Sequence, residues 1–448
     1  MRLDVKTIDQ LGPEITRYAY DRSRQRVGIV HFGIGAFHRA HMAWYTDKAM
    51  DAGENDWSIT GVSLRSPDVA TQLNPQNGLY TVTERSAHGE ATRVIGAIKN
   101  VLVATQDREA VIRALAAPAI QIASFTVTEK GYCRAADGSL DPNLAGADSF
   151  YAYVAQGLRR RHDTGLNGLT LLSCDNLAEN GSQLGSLMHT YLALNDPGLV
   201  KWFHAQCTCP NTMVDRIVPA TTPQDLAQFA TKNGLEDEGA VVTEPFSQWV
   251  IEDNFAGARP TWERHGVQMV ANVRPYETAK LRMLNGAHSL LAYCGLAHGH
   301  RFVHQALADS SLAVLVEQLM LNEAAPTIKT APGQDLNRYA RDLMIRFANP
   351  ALNHRLIQIA MDGSQKIPQR WLETLEENQI LGRSCPAILV GIDAWIRHLQ
   401  GANEDEHGPV VDPMAETLRA ILNKAEPEGA VSALFGPTGP MSGSWLTT

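Results

Sequence analysis

Cysteine is scarce in this chain, six residues among 448. That excludes a disulfide scaffold, and Cys207 and Cys209, with one residue between them, fit neither a zinc knuckle nor a thioredoxin-type pair. Basic residues are in the minority: 39 Lys and Arg against 48 Asp and Glu give a net charge of -9. An acidic chain of pI about 5.9 lacks the basic footprint that nucleic acid or an anionic membrane requires. No apolar run approaches the roughly 18 residues of a membrane helix, and Met1-Arg2-Leu3-Asp4-Val5-Lys6 has no signal-peptide core. Repeats and low-complexity tracts are absent. What is present is 44% apolar and 19% charged residues, a globular composition. At roughly 100–200 residues per domain, the length suits two or three packed domains. These features lead us to expect a cytoplasmic protein of two domains, a monomer or weak homo-oligomer, whose partner is a small molecule.

The first half alternates short apolar runs with helical patterns. Strands are expected at 27–32, 58–64, 120–127 and 169–173, a helix at 36–50, and a hairpin around Ser86-Ala87-His88-Gly89-Glu90 between runs 79–84 and 91–98. From about Pro275 the strand signal disappears, and helices are expected at 278–296, 302–323, 335–347, 385–400 and 414–424. The reading is an α/β, Rossmann-like doubly wound domain over 1–275, followed by a mostly helical substrate domain over 276–448. A cleft between two such domains is a natural ligand site.

The first expected strand runs into Gly33-Ile34-Gly35-Ala36-Phe37-His38-Arg39. A dinucleotide fold uses one glycine here for a tight turn and a second so that a pyrophosphate can approach the backbone at a helix start. His38 replaces the usual third small residue, so the fingerprint is incomplete. After the second strand, Asp68 is the candidate for a ribose 2′-hydroxyl and favours NAD, whereas Arg65 would suit a 2′-phosphate. His31, His38 and His41 offer a possible metal cluster; at a strand end and helix start they read better as neighbours of the pyrophosphate.

Lys280, Asn285 and His288 share one broad face of the helix expected at 278–296, among Leu281, Leu284, Ala287, Leu290 and Leu291. A lysine desolvated in such a setting serves as a general base near neutral pH. Tyr276 and Lys280 also fit the Tyr-x3-Lys pair of short-chain dehydrogenases, but the chain is too long and the glycine spacing is wrong.

Several stretches together carry a resemblance that spans nearly the whole chain. They are Gly33 through His41, Thr128-Glu129-Lys130-Gly131-Tyr132-Cys133, Ser173-Cys174-Asp175-Asn176-Leu177, Met213-Val214-Asp215-Arg216, Lys280-x4-Asn285-x2-His288 and Asp362-Gly363-Ser364-Gln365-Lys366. In these the sequence resembles the mannitol dehydrogenase family of zinc-independent, long-chain polyol dehydrogenases, with the last stretch closest in motif to the fructuronate reductase branch. The resemblance implies an NAD-dependent enzyme in which Lys280 is the general base and Asn176 and Asn285 donate to the reacting oxygen. It implies further that His288 holds a neighbouring hydroxyl, Asp215 and Lys366 contact the substrate, and Glu277 passes the lysine proton to solvent. No metal is required. Gln358 stands where the mannitol enzymes carry an arginine, which turns the expected substrate from D-mannitol and D-fructose towards D-mannonate and D-fructuronate. Lys366 is then the leading cation for the carboxylate, with Arg355 or Arg370 as helpers. A non-catalytic dinucleotide sensor is the reading from another class, and no motif favours it.

Overall fold

The computed structural model describes residues 1–351, 353–426 and 429–442. The chain divides into two compact units, Met1–Val273 and Arg274–Thr448. Among the described residues no helix is long and apolar enough to cross a membrane.

The first unit holds eleven strands: β1 Val27–Phe32, β2 Ser58–Ser63, β3 Tyr80–Ser86, β4 Gly89–Ile95, β5 Ile98–Val103, β6 Ile122–Phe125, β7 Thr170–Ser173, β8 Thr212–Asp215, β9 Val241–Thr243, β10 Gln248–Glu252 and β11 Gln268–Val270. Five of them form an all-parallel sheet in the order β5-β2-β1-β6-β7. Successive side chains of a strand point to opposite faces, and here both faces are covered. Val30 and Phe32 pack with Leu115, Phe150 and Leu158, whereas Ile29 packs on the other side with Met42, Tyr45 and Ala49. Burial on both faces is why β1 reads as a continuous apolar run. β3 and β4 form the expected hairpin, joined by Ala87 and His88, and β9 extends it. The run expected at 91–98 does not continue as one strand. At Gly96 a Cβ would meet the Tyr18 ring and the Tyr20 hydroxyl at 2.8 Å, and beyond that break the chain enters the main sheet as β5.

The helix expected at 36–50 is two. Ala36–Ala40 and Met42–Asp51 are separated at His41, whose φ of -120° and ψ of -93° leave the helical region.

The second unit is helical around Gly286–Ala297, in which every residue from Gly286 to Leu296 is buried. A helix apolar on all sides belongs in a core. Val303–Ala308, Leu356–Ala360 and Pro386–Leu399 pack around it, and Gly295 admits Leu356 and Ala306 where a Cβ would lie within 2.9 Å of both. The expected helix at 302–323 is interrupted at Asp309, which caps Ser310–Gln318 by accepting from the Ser311 N–H at 2.9 Å. Leu336–Phe347, Pro386–Leu399 and Ala415–Leu422 lie at three of the expected helices.

Glu323, fully buried, accepts from the Ala387 and Ile388 N–H groups at 2.8 and 2.9 Å and so caps Pro386–Leu399. Glu323→Ala leaves two buried donors unmatched. The expected cost is about 3 kcal/mol, read as a lower denaturant midpoint of the intact protein. A loss below about 1 kcal/mol would show that solvent replaces the carboxylate.

Candidate active site

In the first unit β1 lies between β2 and β6, where the strand order reverses, and in open α/β sheets ligands bind beyond the strand C-termini at that switch. Gly33 follows β1 with φ 93°, and a Cβ there would sit 2.0 Å from the Thr126 carbonyl oxygen, so only glycine fits. Gly35 is different. A Cβ on it would meet nothing within 4 Å, so no protein atom demands glycine there. The open space over its Cα is what an approaching pyrophosphate needs. Ala36 and Phe37 then open the short helix.

His38 and Arg39, read from sequence as cofactor contacts, lie inside the domain. His38 is fully buried, stacked on His31 with ring centroids 3.4 Å apart, and neither of its ring nitrogens has a hydrogen-bond partner. Burial pushes its pKa well below the usual imidazole range, so it is neutral. Arg39 donates to the Gly239 carbonyl at 2.5 Å and lies 5.7 Å from the Tyr80 ring centroid. Asp68 is exposed at the start of Asp68–Leu73.

Asp175, just past β7, organises the ends of the neighbouring strands. Its carboxylate accepts from the Val127 and Thr128 N–H groups at 3.0 and 2.9 Å and from the Tyr132 hydroxyl at 3.1 Å. Burial raises its pKa, and these three donors oppose the rise. Asn176, the next residue, is thereby anchored at the C-terminal edge of the sheet. Asp215 ends β8 and is buried. Its neighbour Arg216 is committed to Glu84, the Ala40 and Glu244 carbonyls and the Trp44 ring.

In the second unit the helix expected at 278–296 is not uniform. Arg274–Ala279 is α-helical, Lys280–Asn285 is a π-helical turn, and Gly286–Ala297 is α-helical again. Hydrogen bonds in a π turn run to the fifth residue, so residues five apart stack on one face. The insertion narrows the angle between Lys280 and Asn285, which an unbroken α-helix would hold about 140° apart on its broad face. Both are half-buried, as is Glu277 one turn earlier. On another side Arg282 makes a two-pronged pair with Glu377 at 2.7 and 2.9 Å, which ties the turn to Glu373–Ile380. His288 is buried beside Phe347 and His354, and its Nε2 has no hydrogen-bond partner. Burial first, then the charges of His354, Arg346 and Arg370, hold it well below the usual imidazole pKa.

The Asp362–Lys366 stretch is locked by packing. A Cβ at Gly363 would lie 2.4 Å from the Tyr293 hydroxyl and 2.5 Å from the Trp395 indole nitrogen, and Ser364 binds Asp412 through its hydroxyl at 2.6 Å. The Lys366 ammonium donates to the Met361 carbonyl at 2.5 Å and lies 3.9 Å from the Asp362 carboxylate. Burial, then the Arg370 charge, lowers its pKa. Gln358 is exposed on Leu356–Ala360. The sequence reading gave Arg370 only a helper's place. In the structure it reaches Ser289 and the backbone of Asn285. The available signal was its spacing four residues after Lys366, one helical turn on the same face.

His31 and His38 stack on each other, His41 stacks on Phe37, and His31 and His41 also make internal hydrogen bonds. Among the described residues one group gathers three metal-ligating atoms within 4.8 Å, namely His298, His300 and Asp309, none of them a residue of the candidate site. Turnover is expected to survive exhaustive chelation. Loss of turnover that zinc restores would overturn a metal-free mechanism.

A parallel sheet of this order with a glycine turn at its switch point, followed by a helical unit, is a Rossmann-like two-domain architecture. Residues 27–264 match the mannitol dehydrogenase Rossmann domain and residues 272–436 the mannitol dehydrogenase C-terminal domain. The chain is 41% identical to D-mannonate oxidoreductase of Escherichia coli K12, over 97% of this chain and 92% of that one. It is 37% identical to mannitol 2-dehydrogenase of Phaeosphaeria nodorum, over 97% of this chain and 80% of that one. It superposes on the ternary complex of Pseudomonas fluorescens mannitol 2-dehydrogenase with NAD and D-mannitol at a TM-score of 0.82 and 35% identity, covering 98% of this chain and 93% of that one. The chain belongs to the mannitol dehydrogenase family.

Proposed function

We propose that this protein interconverts D-mannonate and D-fructuronate by lysine general-base catalysis without a metal. At the coarser level it is an NAD-dependent oxidoreductase acting on the CH–OH group of an open-chain polyol or sugar acid. The observation that carries the catalytic reading is the π turn that aligns Lys280 with Asn285, next to the unpartnered Nε2 of His288.

The residues of the glycine turn fit NAD, since Gly33 makes the turn and Gly35 leaves the backbone open to the pyrophosphate. Gly35, Ala36 and Phe37 would hold that group and Asp68 the adenosine ribose. When bound, NAD supplies the hydride acceptor for alcohol oxidation. Lys280, as the free amine, takes the hydroxyl proton. The amide of Asn285 donates to the oxygen as negative charge grows on it, and the family resemblance gives Asn176 the same role. Neutral His288 holds a neighbouring hydroxyl through Nε2. Glu277, three residues before Lys280, relays the proton to solvent, and Asp215 and Lys366 orient the sugar chain. Gln358 in place of an arginine, with the likeness to D-mannonate oxidoreductase, supports the sugar acid.

The likeness to mannitol 2-dehydrogenases supports the second reading, D-mannitol and D-fructose. Steady-state kinetics with NADH and either D-fructuronate or D-fructose decides between them, and a higher kcat/KM for fructose would overturn the first. NAD(H) is expected to be preferred over NADP(H), because the Asp68 carboxylate repels a 2′-phosphate. Equal kcat/KM for the two cofactors would show that Asp68 does not discriminate.

A further inference from the structure

Arg370 is a cation of the second unit. It lies in the π-helical turn Pro368–Leu372, and its Nη1 donates to the Ser289 hydroxyl at 2.8 Å and to the Asn285 carbonyl at 3.3 Å. Among the described residues no carboxylate pairs with it, and its Nε and Nη2 donate to nothing. Neither of these two nitrogens is sealed from solvent. Three buried arginines differ. Arg282 has Glu377 and Arg216 has Glu84, while Arg161, which also lacks a carboxylate, spends its guanidinium on the carbonyls of Leu115, Ala117 and Asn167. A charge partly withdrawn from water is stabilised by an anion that pairs with its open donors.

The position is specific. Arg370 grips the backbone of Asn285, whose amide faces the reacting oxygen in the proposed mechanism, and it stands one turn beyond Lys366. The Lys366 charge is already shared with the Met361 carbonyl and Asp362, whereas Arg370 keeps open donors. A guanidinium edge with two parallel N–H groups matches a carboxylate better than an ammonium does.

We propose that Arg370 is the carboxylate subsite of this enzyme, its Nε and Nη2 edge receiving the acid group of an open-chain sugar acid while Nη1 stays on Asn285 and Ser289. The inference rests on the sugar-acid reading above and assigns to Arg370 the leading role that the sequence alone gives to Lys366. Burial pushes the Arg370 pKa down to about 10, the direction a bound anion would relieve.

The test is Arg370→Gln, which retains a donor for Ser289 and the Asn285 carbonyl and removes the charge, assayed with D-fructuronate and D-fructose. One charge-assisted contact is lost, so the ratio of kcat/KM for the acid over that for the neutral ketose is expected to fall ten- to hundredfold, mainly through KM for the acid. Lys366→Met is expected to lower the ratio less. A parallel loss on both substrates would make Arg370 a support for Asn285 and overturn the subsite. If the native enzyme prefers fructuronate and Arg370→Gln keeps that preference, the subsite alone falls. If the native enzyme prefers fructose, the sugar-acid reading falls and the subsite with it. Should Arg370→Gln fail to fold, Arg370→Lys keeps the charge but loses the fork, and the same ratio is expected to fall by a smaller factor; an unchanged ratio would overturn the subsite.

Discussion

Lys280→Ala is expected to lower kcat by about 10²–10⁴-fold, the contribution of a positioned general base, while NADH binding, followed by fluorescence titration, is retained. The separation has a structural reason. The glycine turn that fits the dinucleotide belongs to the unit Met1–Val273, and Lys280 belongs to the other. The substitution is also mild for the fold, because Lys280 is half-buried and alanine is a good helix former. Small primary amines added to the variant are expected to restore part of the rate, since they supply the missing base. Turnover within a few-fold of the native rate would remove Lys280 from the mechanism.

The second large effect belongs to Asn285. Its side-chain amide is proposed to donate to an oxygen that carries more charge in the transition state than in the ground state, so its loss falls on kcat rather than on KM. Asn285→Ala is expected to cost about 10²–10³-fold in kcat, as for other single oxyanion donors. The backbone there is held independently of the side chain, by Arg370 on the Asn285 carbonyl and by the Trp371 indole on the Gly286 carbonyl at 3.2 Å. A variant that raised KM and left kcat untouched would make Asn285 a ground-state contact only.

Much of this was legible in the primary structure. β1 reads directly from Val27-Gly28-Ile29-Val30-His31-Phe32, because a parallel strand buried on both faces is a nearly continuous apolar run, and its one polar member, His31, is hydrogen-bonded internally. The Gly33 turn reads equally well, because left-handed backbone pressed against a carbonyl admits no side chain. The strands β8 to β11 did not, because three to five residues in small sheets lack a periodic signal. His38 and Arg39 follow the glycines in sequence, yet whether they face a ligand or the interior depends on the break at His41, which no local pattern announces.

The sequence by itself determined the residue types that the chemistry needs and their spacing: the glycines after β1, Lys280 with Asn285 and His288, and Lys366 four residues before Arg370. Only the tertiary structure decided their alignment. The π turn at Lys280–Asn285 arises where that segment packs on Pro368–Leu372 and where Arg282 is drawn to Glu377, contacts between residues some ninety positions apart. Which cation keeps an open edge was settled the same way. Lys366 finds Met361 and Asp362 a few residues away, while Arg370 reaches Ser289 and Asn285 across the fold and retains unpaired donors. Local spacing sets which groups are available; long-range packing sets which of them remain unsatisfied, and it is the unsatisfied polar groups that a ligand completes.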